Sequence, residues 1–238
     1  MMWAWQVLPA CQAQKISMNY KFQWNLISRN WDTLLEGLVV TYQVAALAIV
    51  LASILGLVLA LMRLSSRRWL SLLAQVYIEV GRTLPLYVFL LWLYFGLAVA
   101  LGITLKSFQA GVLALGLIAA AYMAEIYRAG IMAVDRGQFE AARALGLTAP
   151  QIYGDVVLPQ AVRIILPAAG NQFVGIFKGA AIVSVIGVAD LMFHTRELSL
   201  KFFRPFEFYT TSGAILIAST LIFAALVAVL ERRLGWGR

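Results

Sequence analysis

Five apolar stretches, each long enough to cross a lipid bilayer, run through this chain: about Leu38 to Met62, Trp69 to Leu101, Phe108 to Tyr127, Ile164 to Phe193 and Phe208 to Leu230. A crossing helix needs about 20 mostly apolar residues. Hydrocarbon offers no partner to a backbone N–H or C=O, so each stretch must satisfy its own groups and is expected to be helical. The fold class that follows is an all-α integral membrane protein with about five transmembrane helices. The second stretch is too long for one straight crossing of a core about 30 Å thick. Its apolar body lies after Arg82, so its start is expected to lie along the interface, with a bend near Gly81 or Pro85.

Composition agrees with lipid as the solvent. The chain is 62% hydrophobic and 13% charged, whereas soluble domains run roughly 45–50% apolar and about 25% charged. The net charge of +8 does not point to nucleic acid, because the bases sit at the ends of apolar runs, where they mark topology. Cys11 alone gives neither an intrachain disulfide nor a cysteine-based zinc site, and His194 alone argues against a histidine-rich metal centre. No metal or resident cofactor is expected. Five crossings place the termini on opposite sides. With the N-terminus outside, the cytoplasmic segments hold ten Lys and Arg and the outer segments seven, in the direction of the positive-inside rule.

The first 17 residues lack a basic start, a long apolar core and a cleavage pattern, so they do not read as a signal peptide. Met18 stands beside Met1 as a candidate translation start. Trp24, Trp31, Asp32 and Glu36 read as an amphipathic helix at the outer interface. The expected organisation is an interfacial extracytoplasmic segment over residues 1–30, a membrane domain over 31–233 and a cytoplasmic tail over 234–238. No linker, low-complexity block or repeat divides the chain.

A polar island, about residues 136–158, separates the third and fourth stretches. Asp135 or the Gly137 region is suited to open a helix, and Ala141, Ala142 and Ala144 are strong helix formers of little bulk. Gly146 is placed to end that helix in a left-handed conformation. Thr148-Ala-Pro150-Gln151 fits a capping box opening a second helix, expected to run to about Val157 and stop near Pro159. By local pattern alone, the island reads equally as a docking surface for a soluble partner or as a plain helical loop.

The order Glu140-Ala141-Ala142, three residues, Gly146, nine residues, Val156-Val157-Leu158-Pro159 resembles the signature of bacterial ATP-binding-cassette (ABC) import permeases. Tyr122-Met-Ala-Glu125-Ile-Tyr-Arg128-Ala-Gly130-Ile131, then Arg136-Gly137-Gln138-Phe139-Glu140, then Pro159-Gln160-Ala161 through Pro167 and Asn171-Gln172 narrow the likeness to polar amino acid uptake permeases. The resemblance implies a type I ABC importer permease (MetI-like) fold, paired as a homodimer or heterodimer. It implies that Gln138, Glu140, Ala141, Ala142, Gly146, Leu158 and Pro159 engage a cytoplasmic ABC ATPase, and that an extracytoplasmic binding protein delivers a polar amino acid. ATP would then be bound by the partner, consistent with a sequence that lacks a Gly-x-x-x-x-Gly-Lys-Ser/Thr phosphate loop. The stretch from Arg82 to Tyr94 is similar to glutamate/aspartate permeases.

Candidate path or gate residues are Arg82, Pro85, Glu125, Arg128, Asn171, Gln172, Lys178 and Ser184. Lys178 in an apolar segment either meets a substrate carboxylate or gate, or snorkels, or pairs with Glu125 or Asp190. Arg82 either serves the path or holds phospholipid or Glu79; Pro85 frees a backbone carbonyl. Glu125 and Arg128, three apart, share a helix face and are suited to pair. Gly175 and Gly179 form a small-xxx-small pair expected at a helix–helix interface. After Lys178, relatives of this kind commonly carry an acid or amide and then hydroxyl residues, where this chain has Gly179-Ala180-Ala181. The alternative function is an ion-coupled secondary transporter, which leaves the island without a purpose and lacks the internal repeat often seen there. A membrane enzyme needs a clustered catalytic constellation that one histidine and one cysteine do not supply.

Overall fold

The computed structural model describes residues 21–233; Met18 and the expected 234–238 tail lie outside them, as do most residues of the N-terminal segment. The described residues form helices α1 (Trp24–Arg29), α2 (Trp31–Leu64), α3 (Arg68–Thr83), α4 (Leu86–Leu101), α5 (Ser107–Met132), α6 (Arg136–Ala144), α7 (Ala149–Ile186), α8 (Leu191–Phe202) and α9 (Pro205–Arg233). Among the described residues four helices are long and apolar enough to cross a membrane, five if the bent pair α3–α4 is counted as one span.

The bend is 105° and falls at Leu84-Pro85, where Leu84 is pushed into extended backbone, ψ 126. The proline ring clashes with a helical conformation in the residue before it, so α3 must end there. α3 keeps an amphipathic pattern, packing Ala74 and Ile78 inward, while α4 continues into the apolar body of the second stretch.

α2, whose most apolar 18-residue window has mean hydropathy 2.9, has no polar face there to set its orientation. Small residues set it instead. Ala45, Ala48, Ala52, Gly56 and Ala60 recur at helical spacing and are buried. A Cβ on Gly56 would stand 2.6 Å from that of Met123 on α5, and one on Gly116 would stand 2.6 Å from Leu51 of α2. α2 and α5 therefore approach at glycine distance, the packing mode available where the hydrophobic effect does not drive helices together.

Three expectations are corrected. The segment from Trp24 to Glu36 is not one helix: it breaks at Asn30, whose side chain donates to the carbonyl of Leu26 at 2.8 Å, and Asp32 and Glu36 belong to the start of α2. The second island helix does not stop near Pro159. Residues Ile152–Val157 adopt wide π-turns, which take up the missing proline donor, and the helix continues to Ile186 as one rod of 38 residues. The fourth apolar helix ends at Ile186 rather than near Phe193, because Gly187 turns left-handed at φ +83 and Asp190 opens α8 by accepting from the Phe193 N–H at 2.8 Å.

Asp190 lies beyond that span and is fully buried. Burial pushes its carboxyl up to about 7 against the opposing pull of backbone hydrogen bonds. Thr41 ties the junction to α2, donating to the Gly37 carbonyl at 3.0 Å and accepting from the Leu191 N–H at 3.2 Å.

Candidate coupling surface and translocation site

The island is a compact module built by its caps. Asp135 accepts from the Gly137 N–H at 2.7 Å and opens α6. At the other end Gly146 takes φ +78. Its N–H donates to Arg143 O at 2.9 Å, and the Leu147 N–H donates to Ala142 O at 3.2 Å. That pair of bonds is a Schellman cap, which requires the left-handed residue that glycine supplies without strain. One residue on, the Gln151 side chain accepts from the Thr148 N–H at 2.9 Å, the return half of a capping box.

Ala142, Val134, Ile152, Val157 and Ala161 form a small core beneath α6, with Phe139 and Leu147 packed on it. Ala142 is thus an inward residue, 3% exposed. Gln138, Glu140, Ala141, Gly146, Leu158 and Pro159 are exposed. Leu145, at 81% exposure, projects from the same end of α6; the motif did not single it out, although an apolar residue beside the terminal glycine was visible. Gly130 lets α5 meet α7 just behind the module, since a Cβ there would collide with Cγ1 of Ile165.

Deeper in the bundle, a cavity of about 400 Å³ opens at the α3–α4 bend, lined by Arg82, Thr83, Pro85, Tyr122, Gln172, Gly175 and Gly179 among others. Three of the sequence candidates meet here: Arg82, Pro85 and Gln172. Arg82 lies with its guanidinium 5.9 Å from the Tyr122 ring centroid, and the Tyr122 hydroxyl donates to the Arg82 carbonyl at 3.1 Å. No lining residue is a carboxylate.

The other candidates are elsewhere. Asn171 and Lys178 are exposed and do not line this cavity. Lys178 forms no ion pair with Glu125 or Asp190: Glu125 is held by Arg128 through contacts of 3.0 and 2.5 Å, and Asp190 accepts from the Phe193 N–H. Ser184 donates to the carbonyl of Ala181 at 3.1 Å, closing its own turn. The expected glycine interface also differs: nothing lies within 4 Å of a Cβ built on Gly175, which borders the cavity, and only Gly179 is tight, with Leu115 at 3.0 Å. The glycines that meet distant neighbours at under 3.0 Å from such a Cβ are Gly37, Gly56, Gly81, Gly116 and Gly130, and those neighbours left no local signal in the sequence.

The family of binding-protein-dependent transport system inner membrane components matches residues 20–236. The chain belongs to this family. Among relatives, the arginine transport system permease protein ArtQ of Bacillus subtilis (strain 168) is 38% identical over 201 residues, covering 84% of this chain and 92% of that protein. The probable glutamine ABC transporter permease protein GlnM of the same organism is 34% identical, covering 88% and 97%. A solved structure, described as an amino acid ABC transporter with histidines, superposes with TM-score 0.85 at 42% identity, covering 90% of this chain and all of that one. An inward-facing structure of the MetNI methionine ABC transporter shares the fold, with TM-score 0.63 at 20% identity. The chain is therefore a multi-pass inner-membrane permease subunit of an amino acid ABC transporter with a MetI-like fold. Such a subunit is not itself an enzyme and works with ATPase and permease partners.

Proposed function

We propose that this permease passes an amino acid with an acidic or amide side chain, glutamate or aspartate among them, delivered by an extracytoplasmic binding protein. The observation that carries this reading is the cavity at the α3–α4 bend. Its single charged residue is Arg82, and Thr83 and Gln172 add neutral hydrogen-bonding groups. A lone guanidinium suits the α-carboxylate that every amino acid carries, and a lining with no carboxylate supplies no counter-ion to a cationic side chain, which favours acidic or amide side chains over basic ones. The named relatives carry arginine and glutamine labels, and the charge of this cavity favours the latter kind over the former.

In this reading the exposed island residues Gln138, Glu140, Ala141, Gly146, Leu158 and Pro159 dock on a cytoplasmic ABC ATPase, with Ala142 holding the module together from inside. The ATPase pair binds and hydrolyses ATP. The permease pairs with a second copy or a close relative, its N-terminus outside and its C-terminus in the cytoplasm. Residues 31–233 form the permease domain, with coupling helices over about 136–158.

The test is reconstitution of the permease with its ATPase and binding protein in vesicles loaded with ATP, followed by uptake of a panel of radiolabelled amino acids. Uptake of glutamate, aspartate or their amides, dependent on ATP, is the expected result. Uptake that persists without the ATPase and follows an ion gradient would overturn the reading, and preferential uptake of arginine would overturn the substrate class.

A further inference from the structure

A second polar cavity, about 240 Å³, lies between the end of α2, α3 and α5, lined by Arg63, Gln75, Glu79, Arg82, Glu125 and Arg128 with Ile78. It is smaller than the roughly 300–1,000 Å³ typical of drug-sized ligands, a size suited to a small metabolite. Two features tie it to the first cavity. Arg82 lines both. On α5, Leu115, Ile118 and Tyr122 line the first, while Glu125 and Arg128 line the second. That series advances three or four residues at a time, so it is one face of one helix. The two cavities are therefore stations in series along α5, the second nearer the island.

The charges in the second station have two signs. Arg128 is satisfied by Glu125, and Glu79 accepts from the Gln75 amide at 2.8 Å. Arg63 is held by the Ser71 hydroxyl at 2.7 Å. Neither Arg63 nor Arg82 has a carboxylate within ion-pair distance among the described residues. Two guanidiniums without a carboxylate partner, beside Glu79, whose carboxylate meets no cation among the described residues, complement a dipolar amino acid. A phosphate monoanion would leave Glu79 facing like charge.

We infer that this cavity is an exit-side subsite for the transported amino acid, its carboxylate held by Arg63 and Arg82 and its ammonium by Glu79. Arg82, shared by both stations, hands the carboxylate from one to the next. The inference rests on the proposed import function and on the island facing the cytoplasm. An exit-side subsite is reached from the cytoplasm, so amino acid accumulating there occupies it and slows import.

The experiment uses the reconstituted complex of permease, ATPase and binding protein, with ATP and graded L-glutamate or glutarate inside the vesicles and labelled L-glutamate outside. Glutarate keeps both carboxylates but lacks the ammonium. In the unmodified complex, lumenal L-glutamate should slow uptake at lower concentration than glutarate. Arg63→Gln should raise the inhibitory concentration of both compounds about tenfold, the usual effect of removing one charged hydrogen-bond partner. Glu79→Gln should raise it for L-glutamate alone and so erase the preference, a change that misfolding does not mimic. Each rate is normalised to the same variant without lumenal ligand. If the unmodified complex imports no amino acid, the function proposed above fails and this inference falls with it. If import is normal but both variants keep the unmodified inhibition, the subsite alone is wrong. Loss of co-purifying anionic phospholipid in Arg63→Gln, with inhibition unchanged, would assign the cavity to a lipid phosphate and overturn the inference.

Discussion

Gly146 allows backbone conformation to be separated from contact. Its φ of +78 costs glycine nothing, and a Cβ built there meets no atom within 4 Å. A substitution is therefore penalised within this chain by conformation alone. A left-handed residue other than glycine costs roughly 1–2 kcal/mol, and asparagine less because its short polar side chain tolerates that region. About 1–2 kcal/mol is roughly 5–30-fold in an equilibrium constant. Relaxing the strain would break the bonds from Gly146 to Arg143 and from Leu147 to Ala142, lift Leu147 off the core under α6 and misplace the Thr148 cap. Capture of the permease by a tagged ATPase subunit should fall in the order glycine, asparagine, alanine, valine. Alanine should lose about 5–30-fold and valine more, because β-branching adds crowding. Membrane insertion, measured as monodisperse detergent-extracted chain, should stay constant across the series. If asparagine is as damaging as valine, the residue is small because the partner presses on it, and the conformational reasoning is refuted.

Three further outcomes follow from single contacts. Gly130→Ala forces α5 from Ile165 of α7; a loss of about 1–3 kcal/mol should lower the thermal midpoint of the purified complex, and Ile165→Ala in the same chain should restore part of it. Thr41→Val removes the buried hydroxyl that joins the Gly37 carbonyl and the Leu191 N–H; an unsatisfied buried amide costs roughly 1–3 kcal/mol, and faster hydrogen exchange at Leu191 would report it. Asp190 gives a pH dependence. Burial pushes its carboxyl up to about 7 from the ordinary 3.8, so the folded state holds the proton that the unfolded state releases. Stability should therefore fall as pH rises from about 4 to 7 and level off above, and Asp190→Asn should flatten that part of the profile in a thermal-melt series.

The sequence carried the crossings because lipid imposes one rule on every backbone group. The bend at Leu84-Pro85 and the caps at Asp135, Gly146 and Thr148 were also legible, because each is set by residues within a turn of one another. What escaped was set by neighbours distant in sequence. Ala142 turns inward because Val134, Ile152 and Ala161 are beneath it. Pro159 fails to end a helix because the preceding π-turns absorb it. In the sequence Arg63 reads as a topology marker, and only the fold shows that it shares a cavity with Glu125, 62 residues away in number.

The continuity of α7 changes how the parts fit together. The expected short island helix would have been a flexible attachment. Instead the rod that begins beside Thr148 carries Gln172, Gly175 and Gly179 into the wall of the first cavity. From Gln151 to Gln172 an α-helix rises about 30 Å at 1.5 Å per residue. A displacement imposed at the module therefore reaches the cavity through a single element, without a chain of intervening side-chain contacts. Between module and cavity the regular helix is interrupted at the π-turns of Ile152–Val157 and at Pro167, the proline inside it. A lever of this kind predicts that softening it is worse than shifting it. Insertion of one glycine after Ala168, between module and cavity, should uncouple ATP hydrolysis from uptake while leaving capture by the ATPase intact. If uptake per ATP survives that insertion, force reaches the cavity by another route, through α5 and its contact at Gly130.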